Sequence, residues 1–147
     1  MEKQELSVLW RSLHRRHRAC HHRVAGELGL YYGQPVVLMI LSDFPGLSLA
    51  DLAERMNITP ASVTVSVGRM EKSGLIEKIP DPADHRRYAL RLTPRGEELV
   101  LRCRQELDRV DDAMYADFTP QEKETFAALC RRMEQNLARF QKEEEHS

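Results

Sequence analysis

The stretch Ser48–Thr93, SLADLAERMNITPASVTVSVGRMEKSGLIEKIPDPADHRRYALRLT, changes its hydrophobic period once, and that change decides the fold. Leu49, Leu52, Ala53 and Met56 recur at helical spacing behind Ser48, an N-cap residue with Asp51 at the third helical position, beside the positive helix end. Asn57-Ile58 is a tight break. Thr59-Pro60 opens a second helix by the same logic, with Val63, Val67 and Met70 as its inner face. After Ser73-Gly74 the period drops to two: LIEKIP, beginning at Leu75 and Ile76, and RYALRLT read as antiparallel strands joined by the loop DPADHR. Leu90 and Leu92 are expected to face the core and Arg91 the solvent.

Two short helices separated by three or four residues form a helix-turn-helix, and a following hairpin makes it a winged helix. The outer face of the second helix supports a function for that unit. Ala61, Ser62, Thr64, Val65, Ser66, Gly68 and Arg69 are small or hydrogen-bonding, with no long acidic side chain before Glu71. A slim polar face enters a major groove about 12 Å wide, where Ser, Thr and Arg contact phosphates and base edges. A merely solvated face favours Glu and Lys, which are stronger helix formers. The wing tip, with Asp84, His85, Arg86 and Arg87, is placed to reach an adjacent minor groove or backbone. Asp84 either orients an arginine by an ion pair or helps turn the loop.

Charge follows the same division. The chain carries a net charge of −1, but residues 59–95 hold seven Lys/Arg against four acids, a balance of +3, and residues 96–147 hold eight against thirteen, a balance of −5. A polyanion is drawn to the middle of this chain.

Outward from the centre, Leu6, Leu9, Leu13, Cys20, Val24 and Leu28 mark a long first helix ending before Gly29, and Gln34-Pro35 opens a short buried one. Thr93-Pro94 begins another long helix with Leu99, Cys103, Leu107, Val110 and Met114 on its apolar side. Thr119-Pro120-Gln121-Glu122 is a capping box for a last helix bearing Phe126, Leu129, Cys130, Met133, Leu137 and Phe140. These helices exceed what the winged helix needs for its own core. Leu6, Leu9, Leu129, Met133, Leu137 and Phe140 are therefore expected to form a homodimer interface.

The 147 residues, 41% hydrophobic and 31% charged, fit one folded domain over 1–147, mainly α with a small β-hairpin wing. The DNA-binding lobe is expected over about 34–95, with helical dimerisation regions over about 1–30 and 96–147. No apolar run approaches the ~18 residues of a membrane span, and MEKQELSVLW lacks a signal-peptide core, so a cytoplasmic location with no membrane partner is expected. There is no Gly-rich phosphate loop, HExxH or GxSxG, so the reading is not an enzyme. His14, His17 and His21 share a helical face with Cys20 near, a spacing compatible with a transition metal. No carboxylate or second His pair matches them, so no metal and no cofactor is assigned, and the basic helix is read as partly exposed. Cys20, among Arg18, His21, His22 and Arg23, is the one cysteine suited to oxidation sensing. A metal- or redox-responsive regulator of the same fold and a winged helix that binds only protein stand as the alternatives.

The order helix, helix, helix-turn-helix, wing, two long helices resembles the MarR family of bacterial transcription regulators. The most specific part is the run from Arg69 through Gly74 to Asp84, Arg86, Leu92, Thr93 and Gly96, similar to the family pattern RLxxxG, a spacer, DxRxxxLxLTxxG. The resemblance implies that Thr59, Pro60, Ala61, Ser62, Thr64, Val65, Ser66 and Arg69 lie on a recognition helix. It also implies that Asp84 and Arg86 form the wing signature and that the terminal helices dimerise over a pseudo-palindromic double-stranded DNA operator. Many members carry arginine after the threonine matching Thr64, where this chain has Val65, which is able to meet a thymine methyl. The resemblance further implies repression relieved by a small phenolic or lipophilic effector, bound between the dimerisation helices and the DNA-binding lobe.

Overall fold

The computed structural model describes residues 1–146. Six helices and one hairpin follow in order: α1 Lys3–Glu27, α2 Gln34–Asp43, α3 Leu49–Met56, α4 Pro60–Lys72, β1 Ile76–Pro80, β2 Tyr88–Leu92, α5 Pro94–Met114 and α6 Pro120–Glu145. Compactness divides the chain into Met1–Val110 and the part from Asp111 onward. The first unit thus holds the helix-turn-helix, the wing, α1, α2 and most of α5.

Local chemistry accounts for the element ends. Ser48 Oγ accepts the Asp51 N–H at 3.1 Å while the Asp51 carboxylate accepts the Ser48 N–H at 3.1 Å, a reciprocal box that starts α3. Asn57, at φ 52°, closes α3 in the left-handed region. Thr59 caps α4 through the Ser62 N–H at 3.2 Å. α4 ends in a Schellman arrangement: Gly74, at φ +74°, donates to Glu71 O at 3.0 Å, and Leu75 N–H reaches Met70 O at 2.9 Å. This bond holds Leu75 in the helix cap, so the first strand begins at Ile76, one residue later than the alternation predicts.

The core gathers the inner faces of these elements. Leu38, Leu41, Leu52, Val63, Val67, Met70, Ile76, Leu90, Leu92, Val100 and Cys103 are all buried. As the period-two pattern predicts, Leu90 and Leu92 turn inward while Arg91 faces out and pairs with Glu77 at 2.7 Å. The two strands pair from Ile76↔Leu92 to Pro80↔Tyr88. β2 also donates Leu90 N–H to Leu47 O at 2.8 Å, which fastens the wing to the segment before α3. Arg104 pairs with Asp43 at 2.5 Å and ties α5 to the end of α2.

In the second unit, Thr119 Oγ1 accepts the Glu122 N–H and the Glu122 carboxylate accepts the Thr119 N–H at 2.8 Å, the capping box expected there. Tyr115, Phe118 and Phe126 meet edge to face, with centroids 5.9–6.5 Å apart, around the turn before α6.

Candidate nucleic-acid interface

α4 presents two faces of opposite character. Val63, Val67 and Met70 are buried, whereas Thr59, Pro60, Ala61, Ser62, Thr64, Val65 and Arg69 are exposed and Ser66 is half-buried. The hydroxyls of the first turn are already engaged. Ser62 Oγ lies 2.9 Å from Thr59 Oγ1, and Thr64 Oγ1 donates to Pro60 O at 2.8 Å. Ser62 and Thr64 each retain acceptor capacity, since a hydroxyl oxygen carries two lone pairs. Val65, 56% exposed, is the large apolar side chain on this otherwise polar face. The positive end of α4 and the absence of an acid in its first turn favour an anion here.

Backbone and carboxylate bonds shape the wing tip. Asp81 N–H donates to Arg87 O and Arg87 N–H to Asp84 O, each at 3.0 Å. Asp81 Oδ1 accepts the Ala83 N–H at 2.8 Å, and Asp84 Oδ1 accepts the Arg86 N–H at 3.0 Å. Of the two roles open to Asp84, the structure has the turn role: among the described residues it forms no ion pair with Arg86. His85, Arg86 and Arg87 are exposed. The Ser48 hydroxyl, then its N–H, hold the Asp51 carboxyl below the usual carboxylate range, against a smaller cost of burial, with Arg87 and Arg55 adding to the effect. Arg87 is thus close enough to α3 to be felt there.

An aromatic and cationic cluster that includes Arg69 of α4 carries no motif in the sequence. Gln34, 4% exposed, accepts the Tyr31 N–H on Oε1 at 3.0 Å and fixes the turn between α1 and α2. From that turn Tyr31 lies under the Arg69 guanidinium at 5.0 Å, and Tyr32 stacks on His22 at 4.3 Å with Arg18 at 4.8 Å. Adjacent tyrosines before a Gly-Gln-Pro turn are the only sequence signal, and their partners lie up to 38 positions away.

His17 and His21 lie with ring centroids 4.3 Å apart on α1, and His14 is exposed. Among the described residues no three His, Cys, Asp or Glu side chains come together as a metal-binding group. Cys20 is exposed, Cys130 half-buried and Cys103 buried, and burial pushes the Cys103 thiol up, away from a reactive thiolate. Among the described residues no helix is long and apolar enough to cross a membrane.

Leu6, Leu9 and Trp10 on α1 are more than half exposed. On α6, Leu129, Met133, Leu137 and Phe140 are exposed as well, and among its described residues none is buried. Each helix therefore carries an apolar stripe that its own chain leaves open.

Comparison with known proteins gives these features a common setting. A family model described as MarR family matches residues 28–87, which span the α1–α2 turn, the helix-turn-helix and the wing loop. A Thauera aromatica protein named as a transcriptional regulatory protein for the hcr operon is 33% identical over 97 residues, 66% of this chain; the chain spans 58% of that relative's length. A crystal structure of MarR superposes with TM-score 0.77 at 31% identity, covering 97% of this chain and 98% of that one. The Bordetella bronchiseptica regulator BpsR, whose DNA binding is regulated by 6-hydroxynicotinic acid, superposes with TM-score 0.81 at 27% identity over 91% of this chain and 96% of its own.

Proposed function

This chain belongs to the MarR family of transcriptional regulators, and from that premise we propose that it is a cytoplasmic, sequence-specific DNA-binding repressor acting as a homodimer. The observation that carries the reading is the outer face of α4. It has exposed Ser, Thr and Arg, a positive helix end, no acid in the first turn, and an arginine-bearing wing beside it in the chain. Two such helices about one helical turn of DNA apart, roughly 10 bp, enter successive major grooves of a pseudo-palindromic operator while the wings hold phosphates and the minor groove. Occupying the operator excludes polymerase. Val65 supports apolar contact with a thymine methyl, and Ser62, Thr64 and Ser66 supply hydrogen bonds to bases or phosphates.

Dimerisation is supported by the open apolar stripes of Leu6 and Leu9 on α1 and of Leu129, Met133, Leu137 and Phe140 on α6. Regulation by a small phenolic or other aromatic effector is supported by Arg18, His22, Tyr31, Tyr32 and Arg69, which offer flat rings and guanidinium groups around one turn. A ligand there acts by favouring one spacing of the recognition helices over another.

The test is a mobility shift of the untagged protein with the DNA upstream of its own gene, run at several salt concentrations beside sedimentation of the free protein. A dimer that binds this DNA more tightly than a random duplex, with affinity falling steeply in salt, is the expected result. A monomer, or binding indifferent to sequence, overturns the reading.

A further inference from the structure

The C-terminal end of α4 ought to leave carbonyls open to solvent, because the last turn of a helix has no further amide to bond them. The Schellman bonds take Met70 O and Glu71 O, and the Ser73 hydroxyl donates to Arg69 O at 2.9 Å. The carbonyls of Ser73, Gly74 and Leu75 are taken by the first residues of α5 and its cap. Arg95 Nη1 donates to Ser73 O at 3.1 Å, Thr93 Oγ1 to Gly74 O at 2.6 Å, and Thr93 N–H to Leu75 O at 3.1 Å. The same Thr93 hydroxyl accepts the Gly96 N–H at 3.1 Å and so caps α5. One oxygen therefore closes the end of the recognition helix and opens the next long helix.

Two further features act at the same point. Gly96 is buried against the Leu75 carbonyl so closely that a Cβ there collides with its oxygen. The Arg95 cation also sits at the negative end of α4, on the carbonyl of its C-cap residue Ser73. Residues 18 to 22 positions apart are thus joined by hydrogen bonds, a charge and a steric fit, in addition to the Schellman bonds that α4 makes on its own.

We propose that Thr93, Arg95 and Gly96 form a clasp that makes α4 travel with α5, so that they are positioning residues for DNA recognition although they read no base. The proposal rests on the DNA-binding reading above. In it, α5 sets where the recognition helix points, and a displacement of α5 reaches the operator face through these bonds. A loosened clasp leaves α4 folded but free to tilt on its core, so it costs sequence-specific contacts, which need exact placement, more than phosphate contacts, which tolerate movement.

The experiment selects a duplex from a random pool with the wild-type protein, then measures affinity for that duplex and for a scrambled one. Thr93→Val, which removes both bonds of the hydroxyl without changing charge, is expected to weaken the selected duplex about tenfold and the scrambled one less than about twofold. Thr93→Ser restores binding, because its hydroxyl makes both bonds. Arg95→Ala, on the exposed surface, keeps the test open if Thr93→Val does not fold, and is expected to lower the selected-to-scrambled ratio about threefold or more. Deuterium exchange across 73–96 should quicken in either variant. A ratio within twofold of wild type in folded variants, or equal losses on both duplexes, overturns the clasp. A wild-type protein that selects no duplex overturns the DNA-binding reading instead.

Discussion

The Asp84 carboxylate accepts the backbone N–H of Arg86 at 3.0 Å, so the acid of the wing holds the loop in shape and leaves the arginine side chain at the surface. An asparagine makes the same turn, since its amide oxygen accepts in the same place. Asp84→Asn is therefore expected to bind DNA at least as well as wild type, having also lost a negative charge near phosphate. Asp84→Ala frees the Arg86 N–H and should weaken binding about threefold. Mobility shifts of the two variants separate the roles: equal loss in both restores the ion-pair role and removes this one.

Arg86 is expected to act as a phosphate or minor-groove contact that carries little sequence information. Arg86→Ala should weaken binding to most sequences and reduce the slope of log affinity against log salt by about one. Arg87 also feels Asp51 at the start of α3, so Arg87→Ala should change the slope less. Titrating salt with each variant checks both statements. An unchanged slope for Arg86→Ala removes the wing from the DNA.

Much of this is legible in the sequence because it rests on short-range chemistry. Ser48, Thr59 and Thr119 start helices in the structure where residue type and spacing placed them, and Leu90 and Leu92 face inward as their alternation requires. What the sequence hid is non-local. The partner of Gly74 O lies 19 residues on, and that of Tyr31 lies 38 residues on in the last turns of α4, with no periodic pattern to connect them. The role of Asp84 was hidden differently: its spacing to Arg86 suits an ion pair and a turn equally, and only the loop's backbone decides.

The capping box of α3 makes stability depend on pH in a predictable direction. The Ser48 hydroxyl and then its N–H, with Arg87 and Arg55, hold the folded-state pKa of Asp51 below its unfolded value. Ionised Asp51 therefore adds stability that is fully present above the unfolded pKa and is lost as pH falls through the folded one. Urea unfolding of wild type and Asp51→Asn should differ at neutral pH, with wild type more stable, and converge in acid. A gap that is the same at both ends places the effect in packing and not in the charge.

Three glycines give the sharpest check on the architecture, because alanine at each meets a different obstacle. Gly68 lies within α4 with no heavy atom within 4 Å of an added Cβ, so only the entropic cost of a helical glycine applies. Gly68→Ala should stabilise the protein by about 0.5–1 kcal/mol. Gly74 has the same open space but φ +74°, so alanine is strained there and should cost about 1 kcal/mol. Gly96 has an ordinary φ but no room: its Cβ meets the Leu75 carbonyl, and relief requires separating α5 from the end of α4. Gly96→Ala is accordingly expected to be the most destabilising of the three. The order Gly68→Ala above wild type, then Gly74→Ala, then Gly96→Ala in thermal midpoint follows from these contacts. A Gly96→Ala protein as stable as wild type means that the start of α5 does not abut the Leu75 carbonyl.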